Sequence, residues 1–243
     1  LDQSFTLNGG QGDDVIGGGS QNDILDGGEE LFVDEYGNDI DENGLLGHDR
    51  LVYYDAPAGI YADLNLGLIQ DGYGSTDQAS NFERFYASYY DDTIILSNDY
   101  LLGYVPGYGN DKFIGIETSD GLNNTHIGYW HLDSDNDVTD EYIVVNYDQS
   151  TVDKTIVGGD FAGTYQDTFT GYVGGFTGSK GDDVFYGLSS GAYYYPVAGF
   201  FQENPSGTID LGYGHFHGYY GDDTIIALGS GEDRLRGGAG KVL

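Results

Sequence analysis

The sequence predicts an all-β protein built from short repeats, and three observations carry that expectation. A nonapeptide of glycines, one Asp and a large apolar residue recurs in phase along the chain. Short β-branched and aromatic stretches are bounded by Gly, Asn and Asp, the residues of turns. No segment carries a capped helical stripe, and 42 glycines among 243 residues argue against long helices.

The repeat is clearest where it is tandem. Gly9-Gly10-Gln11-Gly12-Asp13-Asp14-Val15-Ile16-Gly17 is followed in frame by Gly18-Gly19-Ser20-Gln21-Asn22-Asp23-Ile24-Leu25-Asp26. Both read G-G-x-G-x-D-x-U-x, with U a large apolar residue and Gln21 the one departure. The frame returns at 44–52, 106–114, 178–186, 218–226 and 228–236, with a truncated copy at Gly37-Asn38-Asp39 and a glycine-poor one at 88–95. A lone G-x-D triplet means nothing in so Gly- and Asp-rich a chain. The phase of the apolar residue, and Gly-Asp-Asp starting at 12, 181 and 221, are specific.

A longer repeat lies on top. Phe85-x-x-Ser88-x-x-Asp91-Asp92-x-Ile94 matches Phe176-x-x-Ser179-x-x-Asp182-Asp183-x-Phe185 and Phe216-x-x-Tyr219-x-x-Asp222-Asp223-x-Ile225. The chain therefore reads as one interrupted repeat unit over 1–243. Its clusters are 9–52, 87–114, 178–187 and 218–240, separated by inserts at 53–86, 115–177 and 188–217. The inserts are β-rich too: Ile60, Ala62 and Leu64 alternate with Tyr61 and Asp63, the period of a half-buried strand. Thr93 to Leu96 and Thr224 to Ala227 read as further strands.

The chemistry of the repeat follows from its residues. Glycines permit positive φ and leave backbone carbonyls open, and the Asp sets a hard carboxylate beside them. Carbonyls and carboxylates without nitrogen or sulfur donors select Ca²⁺. The x-U-x stretch suits a three-residue strand, so Val15, Ile16 and Leu25 are expected to stack inside. The 41 acidic residues against 8 basic ones give a charge of −33, which disfavours a compact state unless a polyvalent cation cancels it. That charge also excludes nucleic acid and anionic membrane as partners. No apolar run is long enough to span a bilayer, and the absence of cysteine removes disulfides and thiolate ligands. Disorder is opposed by 23 Tyr and 12 Phe and by the phased order of the repeat.

These residues resemble the RTX (repeats-in-toxin) family of secreted calcium-binding proteins, most closely at 9–26 and 218–240 and clearly at 106–114 and 178–186. The resemblance implies a right-handed parallel β-roll with two nonapeptides per coil. Calcium would be held between turns by carbonyls of the second and fourth positions and the Asp of the sixth. On this chain that implies Asp14 and Asp23 with the carbonyls of Gly10 and Gly12. Asp39, Asp49, Asp91, Asp92, Asp111, Asp182, Asp183, Asp222, Asp223 and Asp233 take similar places, with Gly109, Gly181, Gly221 and Gly231 in the turns. The resemblance further implies several Ca²⁺ ions, no catalysis, and a module of a larger secreted or cell-surface bacterial protein that folds in extracellular calcium. Type I secretion, with an uncleaved C-terminal signal, comes with it. The missing initiator Met and the break at Gly240 to Leu243 are read as marks of a fragment.

Other candidates stand outside the frame. Asp133, Asp135 and Asp137, followed by Asp140-Glu141, alternate as in an EF-hand, but Val138 and Val144 replace its Gly and bidentate Glu. A calcium loop in a β setting and a solvated acidic turn both remain open there. Acid at Asp34-Glu35 and Asp41-Glu42 also falls outside the repeats. Gly187-Leu188-Ser189-Ser190-Gly191 matches G-x-S-x-G, yet the following Ala192-Tyr193-Tyr194-Tyr195-Pro196 is not the helix a nucleophile elbow requires. The five histidines include no H-E-x-x-H; His215 and His217 alternate around Phe216 as on a strand. Tyr129, Trp130, Tyr193, Tyr194 and Tyr195 are either platforms for sugar rings or cover for the apolar flanks of a slim roll. The first option keeps open an adhesin or surface-layer module that binds polysaccharide or self-assembles. The other alternative is an accessory segment of a secreted polysaccharide-active enzyme or hydrolase.

Overall fold

Gly10, Gly12 and Gly19 hold positive φ of 98°, 100° and 96°, and the chain leaves each of these turns through a short extended segment. The computed structural model describes residues 3–28, 32–33, 39–40, 49–97, 103–115, 126–132, 141–171, 173, 175–186, 213–217, 223–226 and 233–236. Among these the protein is all-β and contains no helix. The strands are β1 (Thr6–Gly10), β2 (Val15–Ile16), β3 (Ile24–Gly28), β4 (Phe32–Val33), β5 (Asp39–Ile40), β6 (Arg50–Val52), β7 (Tyr61–Asp63) and β8 (Leu68–Gln70). They continue with β9 (Thr76–Ser80), β10 (Arg84–Tyr86), β11 (Thr93–Ile95), β12 (Gly103–Val105), β13 (Lys112–Ile114), β14 (His126–Gly128) and β15 (Tyr142–Asn146). The last are β16 (Thr151–Ile156), β17 (Gly163–Thr170), β18 (Gly175–Thr177), β19 (Val184–Tyr186), β20 (Tyr213–His217), β21 (Thr224–Ile226) and β22 (Asp233–Arg236).

Two sheets take nearly all of them. The longer has twelve strands in the order β1-β3-β9-β8-β7-β11-β13-β17-β16-β15-β19-β21; the shorter has eight, in the order β2-β6-β10-β12-β14-β18-β20-β22. Every pairing in the shorter sheet is parallel. Setting aside the small β4–β5 pair, the chain passes from one sheet to the other at each step. Two antiparallel meanders, β7–β8–β9 and β15–β16–β17, each count as one such step and lie within the stretches read as inserts.

Each three-residue strand from β6 to β19 buries its middle side chain, as a period of two requires. In the shorter sheet Ile16, Leu51, Phe85, Tyr104, Ile127 and Phe176 stand in register. In the longer sheet Ala62, Ile94, Phe113 and Phe169 do the same. Both rows belong to one apolar core. Ile60, Ala62 and Leu64 are buried as the alternation predicts. Val15 is a correction: it is 59 % exposed, while Ile16 and Leu25 lie inside. Only the second residue after the Asp shares the inward phase, so the intervening residue, Val15 or Ile24, must point outward.

Candidate functional site

The Asp of the sixth repeat position comes immediately before a strand, so parallel in-register pairing stacks these residues above one another. Asp23 lies opposite Asp77 on β9; Asp92, Asp111 and Asp167 follow across β11, β13 and β17; Asp183 and Asp223 pair across β19 and β21. All seven are buried. One carboxylate oxygen of each reaches back along the row. Asp77 Oδ1 accepts the Asp23 N–H at 2.9 Å, and Asp23 Oδ1 accepts that of Phe5 at 2.6 Å. Asp111 Oδ1 accepts the Asp92 N–H and Asp167 Oδ1 that of Asp111, both at 2.9 Å. Asp223 Oδ1 accepts the Asp183 N–H at 3.1 Å, while Asp92 and Asp183 accept from Ile60 and Ile143. The shorter sheet carries a lesser row: Asp49 Oδ1 accepts the Asp14 N–H at 2.7 Å, and Glu83 Oε2 that of Asp49 at 2.8 Å.

The other oxygen of each carboxylate decides what the row can hold. Asp14 Oδ2 and Asp23 Oδ2 are buried and receive no hydrogen bond. The first-position glycines leave them room. A Cβ on Gly9 would stand 2.5 Å from Asp14 Oδ2, one on Gly18 would stand 2.9 Å from Asp23 Oδ2, and one on Gly27 would stand 2.8 Å from Asp49 Oδ2. Buried carboxylate oxygens without donors, beside glycines that leave them room, are hard oxygen ligands, the donor chemistry of a divalent cation such as Ca²⁺. Among the described residues no three carboxylates or imidazoles stand at the spacing of a preassembled cage. The fit is therefore one of donor type and exposed lone pairs.

Electrostatics agrees with that chemistry. Burial pushes the carboxyls of Asp77, Asp92 and Asp183 up to about 6, 7 and 8, with neighbouring Asp residues adding to the rise at Asp77 and Asp183. Ser88 Oγ donates to Asp92 Oδ1 at 2.6 Å and the Ser88 N–H to Oδ2 at 2.9 Å. Ser179 treats Asp183 alike, at 2.8 and 2.7 Å, so the longer sequence repeat builds one hydrogen-bonded unit twice. Ser88→Ala removes a hydroxyl from a buried carboxylate and should lower stability by about 1.5–3 kcal/mol, read from the urea midpoint. An unchanged midpoint would mean that the contact is not made in solution.

One cation is already built into the row. Lys154 Nζ, fully buried, contacts Asp111 Oδ2 and Asp167 Oδ1, both at 2.8 Å, and donates to the Gly107 carbonyl at 3.2 Å. Burial alone would lower its pKa; the carboxylates of Asp167 and Asp111 outweigh that and hold it above the ordinary value. One ammonium cannot neutralise two carboxylates, and burial still raises both Asp111 and Asp167.

The remaining expected residues distribute as follows. Gly10, Gly12 and Gly109 hold positive φ in turns, and the buried Gly181 donates its N–H to Ser179 Oγ. Asp91 and Asp182 are exposed, Asp91 accepting from Asn110. Asp39 and Asp233 lie on β5 and β22. Asp133, Asp135, Asp137, Gly221, Asp222, Gly231, the Tyr193–Tyr195 run and Gly187 to Gly191 lie outside the described residues, as do Asp34, Glu35, Asp41 and Glu42. Tyr129 is a correction. It is 1 % exposed, and its hydroxyl donates to Asp167 Oδ2 at 2.8 Å, so its ring cannot serve as an open stacking surface. Trp130 is half-buried beside His131.

Glu83, Asp77, Asp167 and Lys154 are absent from the sequence-based set. The signal for Lys154 was available: it shares the inward phase of Val152 and Ile156, where a lysine needs a buried partner. No helix long and apolar enough to cross a membrane occurs among the described residues. No protein-family model matches the chain, and no curated protein matches it.

Proposed function

We propose that the protein is a calcium-binding, non-catalytic extracellular module, part of a larger secreted or cell-surface bacterial protein, with its strands wound as a right-handed parallel β-roll. The observation that carries this reading is the two rows of carboxylates, in which the second oxygens of Asp14 and Asp23 are buried without hydrogen-bond donors. The strict alternation of the chain between two parallel-rich sheets supports a wound architecture. A bound divalent cation supplies the positive charge that lets ionised carboxylates stay inside.

The residues offered to it are Asp14, Asp23, Asp49, Asp92, Asp183 and Asp223, with the carbonyls of glycines such as Gly10 and Gly12; Asp111, expected among them, is held by Lys154 instead. At cytosolic calcium these carboxylates repel one another and oppose compaction. At about millimolar calcium, sites of the weak extracellular class fill and folding follows. Circular dichroism and hydrodynamic radius, followed through a calcium titration, test this. The expected outcome is an expanded chain in chelator that contracts and gains β signal as calcium rises. Identical spectra and radii in chelator and in millimolar calcium would refute it.

A further inference from the structure

The two antiparallel meanders are the same device built twice. Asp77 on β9 corresponds to Asp167 on β17: Oδ1 accepts from Asp23 N–H in one and Asp111 N–H in the other, each at 2.9 Å. Oδ2 accepts from the Tyr53 hydroxyl at 2.9 Å and from that of Tyr129 at 2.8 Å. Asn22 Oδ1 accepts the Thr76 N–H at 2.8 Å, as Asn110 Oδ1 accepts that of Gln166 at 2.9 Å. The carbonyl at the β7–β8 turn, Gly67, accepts from Ala79, as that of Ser150 accepts from Phe169. Register then equates Ile69 with Val152, because each stands opposite the shared Asp. Two residues further along, the correspondence breaks: the first meander has Asp71 where the second has Lys154.

That exchange of charge falls at the centre of the device. In the second meander, Asp111, Asp167 and the Gly107 carbonyl all converge on Lys154 Nζ. In the first, Asp23 and Asp77 converge beside Gly18, whose added Cβ would lie 2.9 and 2.8 Å from their Oδ2 atoms. Asp71 and Asp23 are the charged neighbours that Asp77 feels. Asp71 is fully buried. Its Oδ1 is taken by the N–H groups of Tyr73, Gly74 and Ser75, which leaves Oδ2 without a donor, as Asp23 Oδ2 also is. Three buried carboxylates with two orphaned oxygens need a cation more than the second meander does.

We propose that one divalent cation of the calcium class draws together Asp23, Asp71 and Asp77, which do not by themselves stand at the spacing of a cage, with the carbonyl of Gly19 in the place of Gly107, and that Lys154 is the built-in substitute for that ion in the second meander. The charges balance. Two carboxylates and an ammonium leave one net negative charge, and three carboxylates with a divalent ion leave the same. Asp71 and Asp77 lie outside the nonapeptide frame, so the meander completes a site of which the repeat supplies only Asp23. Its donors are all oxygen, which suits calcium and disfavours softer metals.

The inference rests on the calcium reading above, and one experiment separates the two. Calcium bound per chain is counted by metal analysis of the full chain equilibrated in millimolar calcium, for the unaltered protein, Asp71→Lys, Asp71→Asn and Lys154→Asp. Asp71→Lys should bind one ion fewer and hold its fold at lower calcium than the unaltered protein. Asp71→Asn keeps the side-chain shape and should also lose one ion, which covers a failure of Asp71→Lys to fold. Lys154→Asp should gain one ion and become more sensitive to chelator. If the unaltered protein binds no calcium, the functional reading itself is wrong. If it binds calcium and both Asp71 variants keep the full count, the Asp71 site is wrong while the wider reading stands.

Discussion

Replacing Lys154 by Met should destabilise the folded protein by about 3–5 kcal/mol, measured from urea midpoints at a fixed calcium concentration. The side chain is fully buried, and its ammonium touches two carboxylates that are themselves buried. Met keeps most of the volume, so the loss reports charge rather than a cavity. What remains is Asp111 and Asp167 with their repulsion uncompensated in a medium of low polarity. A second comparison isolates the cause: Asp111→Asn and Asp167→Asn added to Lys154→Met should recover much of the loss, because a neutral trio no longer needs an ammonium. If Lys154→Met shifts the midpoint by less than about 1 kcal/mol, the contact is a surface-strength ion pair and the burial is misread.

The second large effect is a reversal of pH dependence on adding calcium. Asp92 and Asp183 are buried, and without an ion their carboxyls titrate at about 7 and 8 rather than 3.8. A folded pKa above the unfolded one means that the folded state holds the proton longer. Its contribution to stability is complete below the unfolded value and is lost as pH rises through the folded one. For Asp92 alone the shift from 3.8 to about 7 corresponds to a loss of about 4 kcal/mol. Calcium-free protein should therefore weaken steadily between about pH 4 and pH 8. In saturating calcium the ion competes with the proton and favours the ionised carboxyls, so stability should rise over the same interval. The folded fraction, read by circular dichroism at both ends of that window in chelator and in millimolar calcium, gives the two slopes. Slopes of the same sign would sink the prediction.

Much of this arrangement is legible in the amino-acid sequence, and the limits have physical causes. Leu51, Phe85 and Phe176 can be placed inside because a strand alternates its faces and the phased Asp fixes which face is inner. Asp23, Asp92, Asp111, Asp183 and Asp223 can be aligned because parallel coils repeat the same register. Asp77 and Asp167 escape that logic. They sit mid-strand in antiparallel meanders and reach the row across 54 and 56 residues of chain. Nothing local in their neighbourhood announces the pairing, whereas the turn glycines announce the others. The outward Val15 shows the same limit in miniature: composition marks it as apolar, and only the strand's phase shows that it faces water.

The meanders also have an electrical consequence. They divide the carboxylate row into Asp23–Asp77, Asp92–Asp111–Asp167 and Asp183–Asp223, and each sets one buried charge of its own between segments: Asp71, next in register to Ile60, in the first, and Lys154, opposite Ile143, in the second. Within a segment, neighbouring strands lie about 4.8 Å apart; across a meander the gap is three such steps, about 14 Å. Direct Coulomb repulsion falls to about a third over that distance. Each meander therefore puts its own charge beside the row, an acid in the first and a base in the second. The two ends of the row thus differ in polarity: Asp71 adds to the repulsion felt by Asp77, and Lys154 relieves that between Asp111 and Asp167.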